Sequence, residues 1–341
     1  MNRRTLLAGA GACAATFSAS APTFTLAATA PSPDRDAPDA PAVRISNGVV
    51  TAVLYMPDNQ KGYYRGTRFD WSGQIADLRA GGHSYFGRWF ADYDPKKHDA
   101  IMGQVEDYVT GQGFDAAPVG GTFVKLGIGV LRKPAEPIRG FPTLEVVDYG
   151  KWTTRVRDDG VEFIHEVNDP VSGYGYRYSK IVSLPAGQSK LVLSHRLEST
   201  GVNPIDTEMY NHNFFILDGE MSGPNVEVRF PFPLTAFNKR GDRVELRGER
   251  LTYVKPLVDG ADRMQLKGFG LTSADYDIRV QNRKTGAGVR VTGDRPLSDL
   301  VFWTSPAVYA PEPYIRIQAD RGKPASWTFT YDFYSEVGVK T

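Results

Sequence analysis

The segment Tyr210-Asn211-His212-Asn213-Phe214-Phe215-Ile216-Leu217 sets an imidazole and two carboxamides among aromatic side chains. Polar groups where packing would prefer carbon break a local rule, and such breaks are expected where a protein does chemistry. Histidine has a proton affinity near neutral pH, so His212 can give or take a proton. The plain alternative is an interior histidine satisfied by its neighbours. A second concentration of reactive residue types lies between 57 and 121. It holds Tyr63-Tyr64-Arg65-Gly66-Thr67-Arg68-Phe69-Asp70-Trp71, then Gly81-Gly82-His83 and Trp89. Arg65 and Arg68 can fork onto hydroxyls or carboxylates. Trp71 and Trp89 offer flat stacking surfaces, and Asp70 and His83 offer polar contacts. The stretch shows no periodicity, and a long irregular stretch inside a compact domain is more often functional than accidental. Read structurally, it is a loop over a sheet with Arg–Asp pairs as staples.

The other histidines carry less. His165 alternates with Val161, Phe163 and Val167, and His195 with Leu191, Leu193 and Leu197, so both read as core residues. His98, in Pro95-Lys96-Lys97-His98-Asp99, reads as solvated. There is no metal-ligand spacing, no Gly-rich phosphate loop after a strand and no Gly-x-Ser-x-Gly, so neither a cofactor nor a metal is expected.

The elements that must position these residues are strands. Short alternating runs bounded by Gly, Pro, Asn or Asp recur from 49–55 and 123–130 through 143–148, 152–157, 161–168, 174–183 and 191–198 to 326–334. Asp158-Asp159-Gly160 is a hairpin signal. The last run sets Trp327, Phe329, Tyr331 and Phe333 on one face. Helical periodicity is confined to one candidate, 95–108, and the span 57–121 reads as free of strands. Many strands and few helices predict an all-β protein, a sandwich of large antiparallel sheets in one domain over 43–341.

Residues 1–30 open with Arg3-Arg4 before an apolar Ala/Gly-rich run and end on small residues, the pattern of a twin-arginine export signal. The apolar run is too short and dilute for a transmembrane helix. Periplasmic localisation is the expectation, with no membrane contact after cleavage. The single cysteine, Cys13, lies inside that segment, so no disulfide is expected beyond it. Residues 31–42 are rich in proline and predict a disordered tether. Lys and Arg number 40 against 39 Asp and Glu, so nothing points to nucleic acid.

Leu197 to Leu217, read as L-x-S-T-G-x-x-P-I-x-x-x-x-Y-N-H-N-F-F-x-L, resembles the central segment of the aldose 1-epimerase (galactose mutarotase) superfamily. The matching positions of its Asn-His-x-x-Phe-x-Leu motif are Asn211, His212, Phe215 and Leu217. Val301-Phe302-Trp303-Thr304-Ser305-Pro306 resembles a later strand end of that family, and Glu312-Pro313 follows where the family carries a glutamate. The resemblance covers 191–334 best and is loose from 121 onward. It implies a twisted super-sandwich, a saccharide substrate, His212 as general acid and Glu312 as general base. Tyr210, Asn211, Trp303, Arg65, Arg68, Asp70 and Trp71 would then contact the sugar. It also implies an upstream second histidine and an arginine, for which His83 and Arg68 stand. The family's Asn-Arg-Ile and Leu-His-Gly-Gly segments are replaced here, so three readings stay open. They are an anomeric-centre epimerase, a polysaccharide lyase or glycoside-cleaving enzyme on the same scaffold, and a saccharide-binding protein without chemistry.

Overall fold

The computed structural model describes residues 34–109 and 111–336. The expected export signal over 1–30 lies outside the described residues. Strand alternation organises the rest. Lys190–Ser199 buries Leu191, Leu193, His195 and Leu197, and Ala325–Ser335 buries Trp327, Phe329, Tyr331 and Phe333. The two strands pair directly, Leu193 opposite Phe329 and His195 opposite Trp327, so their apolar faces merge.

They sit inside a ten-stranded antiparallel sheet. Its order runs Val244–Arg247, Arg250–Tyr253, Val226–Arg229, Asp277–Asn282, Ala287–Gly293, Ala325–Ser335, Lys190–Ser199, Tyr174–Ser183, Gly160–Asp169, Lys151–Arg157. A six-stranded sheet faces it, in the order Thr235–Arg240, Asp262–Lys267, Asp299–Ser305, Val308–Ala319, Ile205–Phe214, Gly103–Tyr108. A four-stranded sheet (Ala42–Ser46, Val50–Tyr55, Gln74–Ala80, His83–Ser84) and a three-stranded one (Thr122–Lys125, Gly129–Arg132, Val146–Asp148) complete the β structure. The fold is all-β, a sandwich of large antiparallel sheets, with no α-helix among the described residues.

Two apolar clusters divide along the faces of Ile205–Phe214. Met209 and Phe215 enter the core shared with the ten-stranded sheet. Phe214 enters a second cluster with Phe69, Trp71, Ile101 and Val105, against which Trp89 and Trp303 pack. Period two does the sorting, so Tyr210, His212 and Phe214 share the face turned away from the main core.

Four local expectations differ from the structure. The helix candidate over 95–108 ends in a strand, Gly103–Tyr108, paired with Ile205–Phe214 from Phe214 opposite Gly103 to Met209 opposite Tyr108. All six of its residues are buried, so its apolar positions never had to mark one side of a helix. Gly103 adopts φ +86°, and a Cβ there would lie 2.3 Å from Ile75 O, which fixes glycine at that crossing. The span 57–121 holds strands at Gln74–Ala80 and Gly103–Tyr108 and is not strand-free. The run 123–130 divides into Thr122–Lys125 and Gly129–Arg132, because Leu126-Gly127-Ile128 turns the chain back into a hairpin. Residues 34–42, expected as the end of a disordered tether, pack on the domain. Asp34 is buried and accepts from Tyr63 Oη (2.7 Å) and Arg88 Nη1 (2.9 Å), and Ala42 opens the first strand.

Candidate active site

The strand carrying His212 neighbours the strand carrying Glu312. Tyr210 pairs with Tyr314 and Phe215 with Tyr309, a constant register that sets His212 opposite Glu312. Between those pairs the ladder is open. Tyr309 N–H donates across to Phe215 O (3.2 Å). Alternate residues of an antiparallel strand point the same way, so Pro311 and Pro313 also face the His212 strand, with no N–H to donate. The side chain of Asn213 takes up the slack, Nδ2 donating to Pro311 O (2.9 Å). On its other side the proline-bearing strand stays paired, Val301 opposite Glu312 and Phe302 opposite Pro311. Glu312 therefore sits in an interior strand of the sheet.

His212 Nε2 lies 3.4 Å from Glu312 Oε1. The imidazole stacks on Phe214 (centroids 3.8 Å apart, planes 12°) and meets Phe69 and Trp303 edge-on, each at 5.7 Å. Its Nδ1 is buried without a hydrogen-bond partner among the described residues. Burial holds the His212 pKa well below the usual histidine range, and the Arg68 charge pushes it the same way. Burial pushes Glu312 up to about 7, against the pull of Arg68 and Arg263, with Asp107 adding to the rise. Below the Glu312 pKa of about 7 the pair therefore holds its proton on the carboxyl and keeps the imidazole neutral, and the proton is lost as pH rises through that value.

The pair opens into a cavity of about 360 Å³. Its floor comes from the six-stranded sheet: Tyr210, His212, Phe214, Arg263, Trp303, Glu312 and Tyr314. Trp89, Phe141, His98, Asp99 and Arg68 close over it from the irregular segments. Arg68 is held by one carboxylate and one phenol. Its Nη2 donates to Tyr210 Oη (2.8 Å), and its Nε donates to Asp107 Oδ2 (3.4 Å). Tyr210 Oη in turn donates to Asp107 Oδ2 (3.1 Å), and Lys125 Nζ binds Asp107 Oδ1 (3.1 Å). Arg263 makes no ion pair among the described residues, although it lines the same cavity.

Of the residues singled out in the sequence, the fold gathers His212, Glu312, Arg68, Trp89, Tyr210 and Trp303 here. Five others lie elsewhere. Asn211 points into the main core, accepting from Gln104 Nε2 (2.8 Å) and donating to Tyr276 Oη (3.0 Å), because it alternates with His212. Asp70 is buried, accepting from Ser72 Oγ (2.6 Å) and Tyr178 Oη (3.1 Å). Trp71 is buried, its Nε1 donating to Gly66 O (2.8 Å). Arg65 does not line the cavity; its backbone N–H donates to Pro95 O (2.6 Å). His83 binds Asp218 Oδ2 (2.8 Å) and Ser335 Oγ (3.0 Å) away from the cavity. The second histidine at the site is His98, half-buried and stacked on Phe141 at 5.3 Å. Its setting among Lys96, Lys97 and Asp99 gave no sign of this. Phe141 and Arg263 carry no sequence signal of a site, one lying in a Gly-Phe-Pro loop and the other in a plain alternating strand.

His195 and His165 are core residues. His195 Nε2 meets Glu106 Oε1 (3.1 Å), and Glu106 also binds Lys180 Nζ, all three side chains being fully buried. Burial alone would raise Glu106, but Lys180 and His195 hold it at about 2.

No protein-family model matches the sequence, and no curated protein matches it. Solved structures match in shape. A galactose mutarotase related enzyme from Lactobacillus acidophilus is 12% identical, with 88% of this chain and 100% of that one covered at a TM-score of 0.54. A galactose mutarotase-like protein from Clostridium acetobutylicum is 13% identical, with 87% and 96% covered at 0.54. Another from Lactobacillus casei is 12% identical, with 86% and 100% covered at 0.52. At these identities the likeness is one of architecture, and the chain has the galactose mutarotase-like fold in a divergent sequence.

Proposed function

We propose that this protein interconverts the anomers of a saccharide, using His212 and Glu312 as a proton-exchanging pair. The observation that carries the reading is their opposition, 3.4 Å apart, at the floor of a sugar-sized cavity walled by Trp89 and Trp303. Anomer exchange needs one group at the C1 hydroxyl and one at the ring oxygen. Both oxygens are bonded to the same carbon, so two neighbouring groups on one side can serve both. The proton distribution favours the reverse of the roles implied by the family resemblance. Neutral His212 Nε2 takes the proton of the C1 hydroxyl, and the Glu312 carboxyl gives its proton to the ring oxygen. The C1–ring oxygen bond breaks and a C1 carbonyl forms. After rotation about C1–C2 the two transfers reverse, closing the ring with the other configuration and restoring both side chains. Tryptophan rings suit the C–H face of a pyranose, and Arg68 and Tyr210 suit its hydroxyls.

The test is proton-exchange NMR or polarimetry on free aldoses with wild type, His212→Ala and Glu312→Gln. Catalysed interconversion lost in both variants supports the reading. Saccharide binding with no turnover in wild type replaces it with a binding role.

A second reading is favoured by Arg263, a cavity guanidinium with no carboxylate of its own among the described residues. A uronate carboxylate would fill that position; a lyase acting there would use His212 to take the C5 proton, the C4–O bond breaking as the C4=C5 bond forms and the Glu312 carboxyl protonating the departing oxygen. Release of an ultraviolet-absorbing unsaturated product from uronate polymers is the distinguishing assay.

We further propose that the chain is exported through its twin-arginine leader and works in the periplasm. The support is the Arg3-Arg4 pair with its apolar run and small-residue end.

A further inference from the structure

A second cavity, of about 400 Å³, adjoins the one that holds His212 and Glu312. The two share Arg68 and Phe141 as a common wall, with the guanidinium carbon 3.8 Å from the Phe141 ring centroid. Phe114, Phe123, Ile138 and Leu144 line the far side. Phe114 and Phe123 meet edge to face at 5.0 Å. Ile138 and Phe141 are 42% and 49% exposed, a placement of large apolar side chains around a concavity that marks a binding surface. The polar edge is Asp107, Asp115 and Lys125. Asp107 is the carboxylate that holds Arg68 in the first cavity, through Oδ2, while its Oδ1 binds Lys125 in the second. One side chain therefore orients a cation in each chamber.

We infer that the second cavity is a saccharide subsite, which receives the unit glycosidically linked to the sugar whose anomeric carbon is presented to His212 and Glu312. The preferred ligand is then a reducing disaccharide or a longer chain. Three observations carry this. The two volumes are alike, about 360 and 400 Å³, as two units of similar size require. The chambers adjoin across one layer of side chain, Arg68 and Phe141, which line both. Each chamber combines aromatic faces for the C–H side of a pyranose with ionised groups at the edge for its hydroxyls. A free C1 hydroxyl must remain at His212 and Glu312, so the linkage leaves the first sugar from its non-reducing side. The inference rests on the proposed function, and its test separates the two.

The experiment is calorimetric titration of the whole protein with glucose, galactose, cellobiose, maltose, lactose and melibiose. Wild type is compared with Phe114→Ala and Ile138→Ser, which line only the second cavity. Ile138 is exposed, so its replacement leaves the core intact. At least one disaccharide should bind wild type about tenfold more tightly than its monosaccharide, and both variants should collapse that ratio towards one. Equal affinity for every disaccharide and its monosaccharide overturns the subsite, as does a ratio unchanged in both variants. An octyl glucoside that matches the disaccharide gain also overturns it, marking a greasy pocket in place of a sugar site. Monosaccharide anomer exchange, measured alongside, reports on the proposed function alone. If exchange proceeds and the disaccharides gain nothing, only the subsite falls; if no sugar binds or turns over, both fall.

Discussion

Arg68 donates to the hydroxyl of Tyr210 at 2.8 Å while its guanidinium lies over Phe141. This arrangement holds a cation beside both members of the His212–Glu312 pair, and it depresses the proton affinity of each. Replacing Arg68 by Met should raise the Glu312 pKa above its present value near 7. In the proposed reaction Glu312 must carry the proton, so activity falls as pH rises through that pKa. The falling limb of the pH–kcat/KM profile should move to higher pH in Arg68→Met, with KM increased. A limb that stays in place or moves down would separate Arg68 from the pair.

His212→Ala and Glu312→Gln should each lower kcat by about 10²–10⁴ while the circular dichroism spectrum stays native. The double variant should lose less than the product of the two, because both act in one step. Full turnover in either single variant would make that residue structural.

Glu312 also links stability to pH. Its folded pKa is raised from the ordinary 4.5 to about 7, so the native state holds a proton that the unfolded chain has released in that window. The contribution is fully present below pH 4.5 and is lost as pH rises through 7. Glu312→Gln carries no such penalty and should gain on wild type across this window, reaching about 3 kcal/mol at higher pH. Urea melts at the two ends of the window measure it; a gap that narrows with rising pH would be the wrong sign.

Glu106 and Lys180 form a fully buried ion pair between the two large sheets, with His195 bonded to the same carboxylate. Lys180→Met leaves the Glu106 carboxylate without its strongest partner and should destabilise by about 3–5 kcal/mol. Replacing Lys180 and Glu106 together by Met and Gln should recover much of that loss, since no uncompensated charge remains. Thermal melts decide it: a double variant as unstable as Lys180→Met would show that the cluster contributes more than mutual compensation.

Lysine in place of both Arg3 and Arg4 should leave the protein in the cytoplasm, as read by cell fractionation. Normal export of that variant would remove the twin-arginine assignment.

What the sequence disclosed follows from how each feature is encoded. Alternation is local, so the strands of the main core and the Asp158-Asp159-Gly160 turn could be read directly. His212 and Glu312 are legible through their match to a family's motif positions. Gly103–Tyr108 is not legible as a strand because it is buried on both faces and carries no alternation. Asn211 neighbours His212 in sequence but faces the opposite side of the sheet, because adjacent residues of a strand point opposite ways. His98, Phe141 and Arg263 reach the cavity only through the way loops and strands close over the sheet. His83 has the flanking glycines that suggest a site, yet its nitrogens are taken up by Asp218 and Ser335.

Pro311 and Pro313 leave the slot between the two central strands specified by the backbone rather than by its occupants. Two imino acids withhold donors from one neighbour only, so the sheet cannot zip shut there whatever side chains stand at 210, 212 or 214. Exchange of the side chains around the pair can thus alter what the cavity holds without closing the gap in the ladder, which only replacement of the prolines themselves would do.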